Sequence, residues 1–113
     1  MAAEALHSSL AAGRWHTLTL AEQLGNVGSD VGRAIRAKEQ RNDIRMQGAL
    51  DRALELLDLT RADERWQNPR RREIGRAREV VCDFLVGDNE YASTGESLDA
   101  YFLAFAMAAR RDR

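Results

Sequence analysis

Residues Asp43–Leu59, DIRMQGALDRALELLDL, are the clearest helix in the chain, and the other segments read as elements packed against it. Met46, Ala49, Leu50, Ala53, Leu54 and Leu57 recur at helical spacing and share one side. Leu56 widens that face beyond what a two-helix seam needs. Asp51, Glu55 and Asp58 fall roughly opposite. Alanine and leucine dominate, and both favour helix. Asn42 is a natural N-cap, with Asp43 set against the positive helix end.

The segment before it is a helix with a different face. Thr19-Leu20-Ala21-Glu22 has the form of a capping box. Leu20, Leu24, Val27, Val31 and Ile35 make an apolar stripe, and Ala21, Gly25, Gly28 and Gly32 make a small-residue stripe beside it. Three interior glycines cost a helix roughly 2–3 kcal/mol relative to alanine. Close approach of another helix offsets that cost, whether it comes from this chain or from a second copy. Gly25, Gly28 and Gly32 are therefore candidate oligomer contacts. The turn Lys38–Asn42 is short, which implies antiparallel neighbours.

After the Asp43 helix comes RADERWQNPRRR, a polar connection. Asn68-Pro69 reads as a helix start, with asparagine at the N-cap and proline at the first helical position. The third helix spans 70–86, with Ile74, Ala77, Val81, Phe84 and Leu85 inward and Val80 at the margin; Gly87 stops it. In the loop GDNEYASTG, Ser93 with Glu96 offers a capping box, and Thr94 is the alternative cap. The last helix, ESLDAYFLAFAMAARRDR, turns Leu98, Tyr101, Phe102, Phe105 and Ala109 one way. Leu103 and Met107 point the other way, which predicts a second copy of the chain against them. The expected fold is all-α, an up-and-down antiparallel four-helix bundle over 17–113. Residues 1–16 form an N-terminal segment, either loose or a short helix.

Composition narrows the function classes. A chain of 113 residues is one domain, and a net charge of −1 with pI ≈ 6.1 gives no bulk attraction to anionic polymers. The single cysteine, Cys82, excludes an intrachain disulfide and a cysteine-rich metal site, and fits a buried thiol in a reducing cytoplasm. No apolar run approaches the ~20 residues of a membrane span, and the first residues lack the pattern of a signal peptide. Cytoplasmic location without membrane contact is the expectation. His7 and His16 do not have ligand or nucleophile spacing, and no cofactor is predicted.

Charge collects at one end. In an antiparallel bundle, the ends of helices two and four share a pole with the starts of helices one and three. That pole holds Arg14, Arg61, Arg65, Arg70, Arg71, Arg72, Arg110, Arg111 and Arg113, with Trp15 and Trp66 among them. Against these nine arginines stand four acids, Asp63, Glu64, Glu73 and Asp112, an excess of five. Arginine beside tryptophan suits phosphate contact with base stacking, so nucleic acid or an acidic protein is the candidate partner. At the opposite pole, basic Arg33–Arg41 faces acidic Asp83–Asp99 and reads as self-compensating. Glu79 and Asp83 read as a solvated face of helix three.

Two family resemblances bear on function. AEQLGNVGSDVGRA looks like the first motif of the all-α nucleotide pyrophosphohydrolases, the MazG-like group, and Glu55-Leu56-Leu57-Asp58 looks like part of the second. That resemblance implies magnesium held by Glu-x-x-Glu and Glu-x-x-Asp, and triphosphate hydrolysis. Here the glutamate positions are Gln23 and Asn26, and amides do not replace carboxylates around a hard dication. The chain would then be a divergent, inactive relative. The helix order, RRREIGRAREVVCDFL, and the apolar last helix followed by arginines resemble another group. These are the four-helix proteins encoded by ribosomal RNA intervening sequences and the accessory variability proteins of diversity-generating retroelements. This resemblance implies an oligomeric, non-enzymatic scaffold or accessory subunit that contacts nucleic acid, or an enzyme acting on it, through basic surface. The net charge of −1 departs from their strongly basic pattern, and no motif transfers a site residue.

Overall fold

Thr19 begins the bundle as its sequence predicts. Its Oγ1 accepts from Glu22 N at 3.1 Å, and Glu22 Oε1 accepts from Thr19 N at 2.9 Å. The computed structural model describes residues 13–112. A 3-10 turn, Arg14–Thr17, precedes α1 (Leu20–Glu39), α2 (Asp43–Arg61), α3 (Arg70–Leu85) and α4 (Gly95–Arg111). There is no strand among the described residues. The architecture is an all-α four-helix bundle. α1 lies against both α2 and α4, while α3 rests mainly on α2. No helix among the described residues is long and apolar enough to cross a membrane.

The α1–α2 turn is a Schellman motif. Asn42 N donates to Ala37 O at 2.9 Å and Arg41 N to Lys38 O at 3.0 Å. Arg41 takes the left-handed position, φ 57°, that glycine usually fills. Asn42 then caps α2, its Oδ1 accepting from Arg45 N at 3.1 Å. One other cap reading is corrected, and at α4 the alternative cap is the one observed. Pro69, not Asn68, stands at the cap of α3, with no side-chain cap, and α3 ends at Leu85. Thr94 caps α4 in a reciprocal pair with Ser97, at 3.0 and 2.9 Å. Ser93 is already engaged, exchanging two hydrogen bonds with Asn89.

The core runs through all four helices and includes Trp15, fully buried. Through Trp15 the 3-10 turn packs into the bundle, ahead of the expected start at residue 17; His7 and the rest of 1–12 lie outside the described residues, as does Arg113. On α2, Leu56 is core and Leu54 and Met46 are only half-buried. α2 is flanked by both α1 and α3, so its buried face is rotated from the expected stripe.

The glycine stripe of α1 is spent inside the chain. A Cβ on Gly25 would lie 3.0 Å from Ala106 Cα, and one on Gly28 only 2.5 Å from Phe102 Cβ. Buried Gly32 faces the Arg36 guanidinium and Asp99 Oδ1. Gly25, Gly28 and Gly32 are thus not an oligomer groove: α4 of the same chain occupies it. The close-approach argument holds, with the neighbour supplied internally.

Candidate functional site

The pole predicted to be rich in arginine and tryptophan contains two different structures. The first is a closed polar network. Trp15 Nε1 donates to Thr60 Oγ1 at 3.0 Å, and Thr60 in turn donates to Leu56 O. Gln23, fully buried, donates to Trp15 O and to Asp63 Oδ2, and accepts from Trp66 Nε1 at 2.8 Å. Asp63, itself buried, also takes Arg65 Nη2 at 2.7 Å and meets His16 Nδ1 at 3.1 Å. The Arg65 guanidinium, His16 and Gln23 hold the Asp63 carboxyl well below the usual carboxylate range, against the opposing effect of burial. Arg65 further donates to Leu18 O and covers the Trp66 ring at 4.4 Å.

This network corrects the expected stacking role. Trp15 is inaccessible, and Trp66 is half-buried with its indole N–H bound and its ring stacked under Arg65. Arg65 is consumed by Asp63. Trp15, Trp66 and Arg65 staple the 3-10 turn, α1 and the α2–α3 connection together; they offer no platform for bases.

The second structure is an open arginine surface. Arg14, Arg61, Arg70, Arg72, Arg110 and Arg111 are exposed and Arg71 is half-buried. None of them forms an ion pair with another described residue. Arg61 reaches across α3 over Gly75, its Cζ 3.4 Å from where a Cβ would stand. It lines a shallow hollow with Arg71, Gln67 and Glu64, and on its other side a cleft of about 670 Å³. The cleft separates α3 from α4. Its floor is Ala77, Val80, Leu98 and Phe102, and Arg61, Arg72 and Arg76 stand on its walls. Tyr101 bridges it, donating to Glu73 Oε2 at 3.1 Å. Burial and the Glu73 charge raise the Tyr101 phenol far above its ordinary value, so it remains a donor. Sequence reading missed this cleft because it depends on how far α4 shifts toward α1, and no local pattern encodes that distance.

The opposite pole is not balanced as expected. Arg33 pairs with Asp30 of its own helix at 2.8 Å, and Arg52 of α2 lies 3.7 Å from the same carboxylate. Asp83 accepts the backbone N–H groups of Glu90 and Tyr91, and Glu79 accepts from Tyr91 Oη at 3.1 Å. Glu79 and Asp83 therefore pin the α3–α4 loop, where a solvated face was expected. Cys82 is half-buried, and burial raises its thiol pKa.

The residues resembling a magnesium site are used otherwise. Glutamate at position 23 would lose the two donated bonds and face Asp63 with a second charge. Asp58 is paired with Arg78 Nε at 2.8 Å. No group of three or more His, Cys, Asp or Glu placed to hold a metal occurs among the described residues. Comparison with protein-family models, curated proteins and solved structures returns no match.

Proposed function

We propose that this chain is a non-enzymatic, self-associating binding subunit that takes nucleic acid on its arginine pole through phosphate contacts alone. One observation carries this reading: Arg61, Arg70, Arg71, Arg72, Arg110 and Arg111 have no acidic partner among the described residues. Arginine presents a fork of donors matched to phosphate, and a pole of unpaired forks favours a polyanion. The engaged tryptophans remove base stacking, so binding is indifferent to base sequence.

The test is fluorescence anisotropy with a short labelled RNA or DNA across a salt series. If most of the six contact phosphate on duplex DNA, the slope of log affinity against log salt is about −4 to −5. Arg70→Ala/Arg71→Ala/Arg72→Ala should weaken binding for every sequence alike and flatten that slope. Absence of binding at low salt, with capture of polyglutamate instead, would assign the pole to an acidic protein. Binding to neither would overturn the reading.

A further inference from the structure

The outer face of α4 carries a pattern that shares only Arg110 with the arginine pole. Glu96, Ala100, Leu103, Met107 and Arg110 are all exposed and follow one another at alternating intervals of four and three residues. That is the spacing of a two-helix seam. Leu103 is 53% and Met107 49% exposed, high for large apolar side chains. Ala100 and the exposed Ala104 beside it are small enough to let another helix approach, and exposed Asp99 stands one turn before Leu103. The seam is also charge-ordered. It begins with Glu96 and Asp99, is uncharged from Ala100 to Ala109, and ends with Arg110 followed by Arg111. Glu96, Arg110 and Arg111 make no ion pair with any described residue.

A face with acid at one end, base at the other and apolar residues between is complementary to its own reversed copy. Leu103 is the sequence midpoint of Glu96 and Arg110. Each charge therefore lies about 10 Å from it along the helix axis, on opposite sides. A two-fold axis through Leu103 brings Glu96 of each copy to the partner's Arg110, and sets Asp99, with Ala100 next to it, level with the partner's Met107, one turn from the partner's Arg111. A parallel arrangement would instead oppose Glu96 to Glu96 and Arg110 to Arg110, which like-charge repulsion disfavours.

We infer that a second copy of this chain docks antiparallel on the outer face of α4, about a two-fold axis at Leu103, with Glu96 against the partner's Arg110. This rests on the self-association in the proposed function and specifies its geometry. Arg110 is then drawn into the seam, while Arg111 and the arginines of α2 and α3 remain for the polyanion.

Light scattering on the full chain at low salt tests it, with circular dichroism to check that each variant keeps its helix content. The wild type should have the mass of a dimer, and Leu103→Glu/Met107→Glu that of a monomer. Glu96→Arg and Arg110→Glu should each weaken self-association by about tenfold, since each replaces attraction with repulsion at both ends of the seam. An equimolar mixture of these two single variants should recover the dimer, because each then carries the charges its partner lacks; the double variant should recover it alone. A monomeric wild type at high concentration would overturn self-association itself. A dimer indifferent to Leu103→Glu/Met107→Glu would overturn the choice of face. A dimer lost in those variants but not restored by mixing the charge reversals would overturn the antiparallel register.

Discussion

On one flank α4 meets α1 so closely that Gly28 has no room for a methyl group; on the other, α4 and α3 are separated by a cleft of about 670 Å³. The same helix is over-close on one side and under-filled on the other, and the two conditions are linked. Removing side chains from α1 draws α4 toward it and away from α3. A helix cannot lie in contact with both neighbours when the bundle is closed from one side by backbone approach. The largest expected effect follows from that contact. Gly28→Val should destabilise the fold by about 3 kcal/mol, the upper end of the overpacking range, because its Cβ meets Phe102 Cβ at 2.5 Å and no rotamer change relieves it. Urea denaturation measures it. An effect near zero would mean that α4 slides freely toward the cleft, and that the two flanks are not linked.

The closed side has a second fastening, at the start of α1. Asp63 gathers Arg65, His16 and Gln23, and its pKa is depressed. Asp63→Asn keeps the shape but loses the charge-assisted bonds, and should cost about 2 kcal/mol at neutral pH. The pH dependence has a definite sign. A carboxyl with a lowered folded pKa contributes its stability above the unfolded value, about 3.9, and loses it as pH falls from there toward the folded value. The gap between wild type and Asp63→Asn should therefore be full at pH 6 and shrink progressively below about pH 4. A constant gap across that range would show that Asp63 acts through shape alone.

Gly48 supplies the converse of Gly28. Both are interior helix glycines, but a Cβ on Gly48 would find only Arg52 Nη1, at 3.9 Å. Gly48→Ala should therefore stabilise the protein by about 0.9 kcal/mol, the intrinsic helix preference of alanine. Opposite signs for valine at 28 and alanine at 48 would separate a packing glycine from an incidental one.

What the sequence made legible, and what it did not, divides along the same line. The capping box of Thr19 and Glu22, the N-cap Asn42 and the apolar stripe of α1 are local patterns, and each stands where its spacing implies. The small-residue stripe correctly announced a close neighbour, but not which helix would fill it. The two tryptophans were rightly assigned to the arginine pole and wrongly read as available. Their indole N–H groups find partners 45 and 43 residues away, in Thr60 and Gln23, and no periodicity reports a contact of that range. Gln23 carried the one usable signal. A polar residue among Leu20, Leu24 and Val27 needs buried partners, and the nearby excess of indole and carboxyl groups could have suggested them. At α4 the alternative cap Thr94 is the one used, and the capping box was placed one residue early, at Ser93 and Glu96, because serine was not considered as its reciprocal partner.

The smallest expected effect concerns the open flank. Tyr101 is the hydrogen-bonded bridge across the cleft, and its partner Glu73 is exposed. The phenol remains protonated to high pH, so the bond persists through the ordinary range. Solvent competes for Glu73, however, and its carboxylate stays hydrated when the hydroxyl is removed. Tyr101→Phe should therefore cost only about 0.5 kcal/mol, at the low end for a hydrogen bond. Its ring contacts with Phe102 and Phe105, at 5.0 and 5.3 Å between centroids, are kept. The informative readout is local. Amide exchange should quicken in α3 around Glu73 and in α4 around Tyr101, and stay unchanged in α1. A cost approaching that of Gly28→Val, with faster exchange in α1 as well, would mean that the bridge closes the bundle and that the two flanks of α4 bear comparable load.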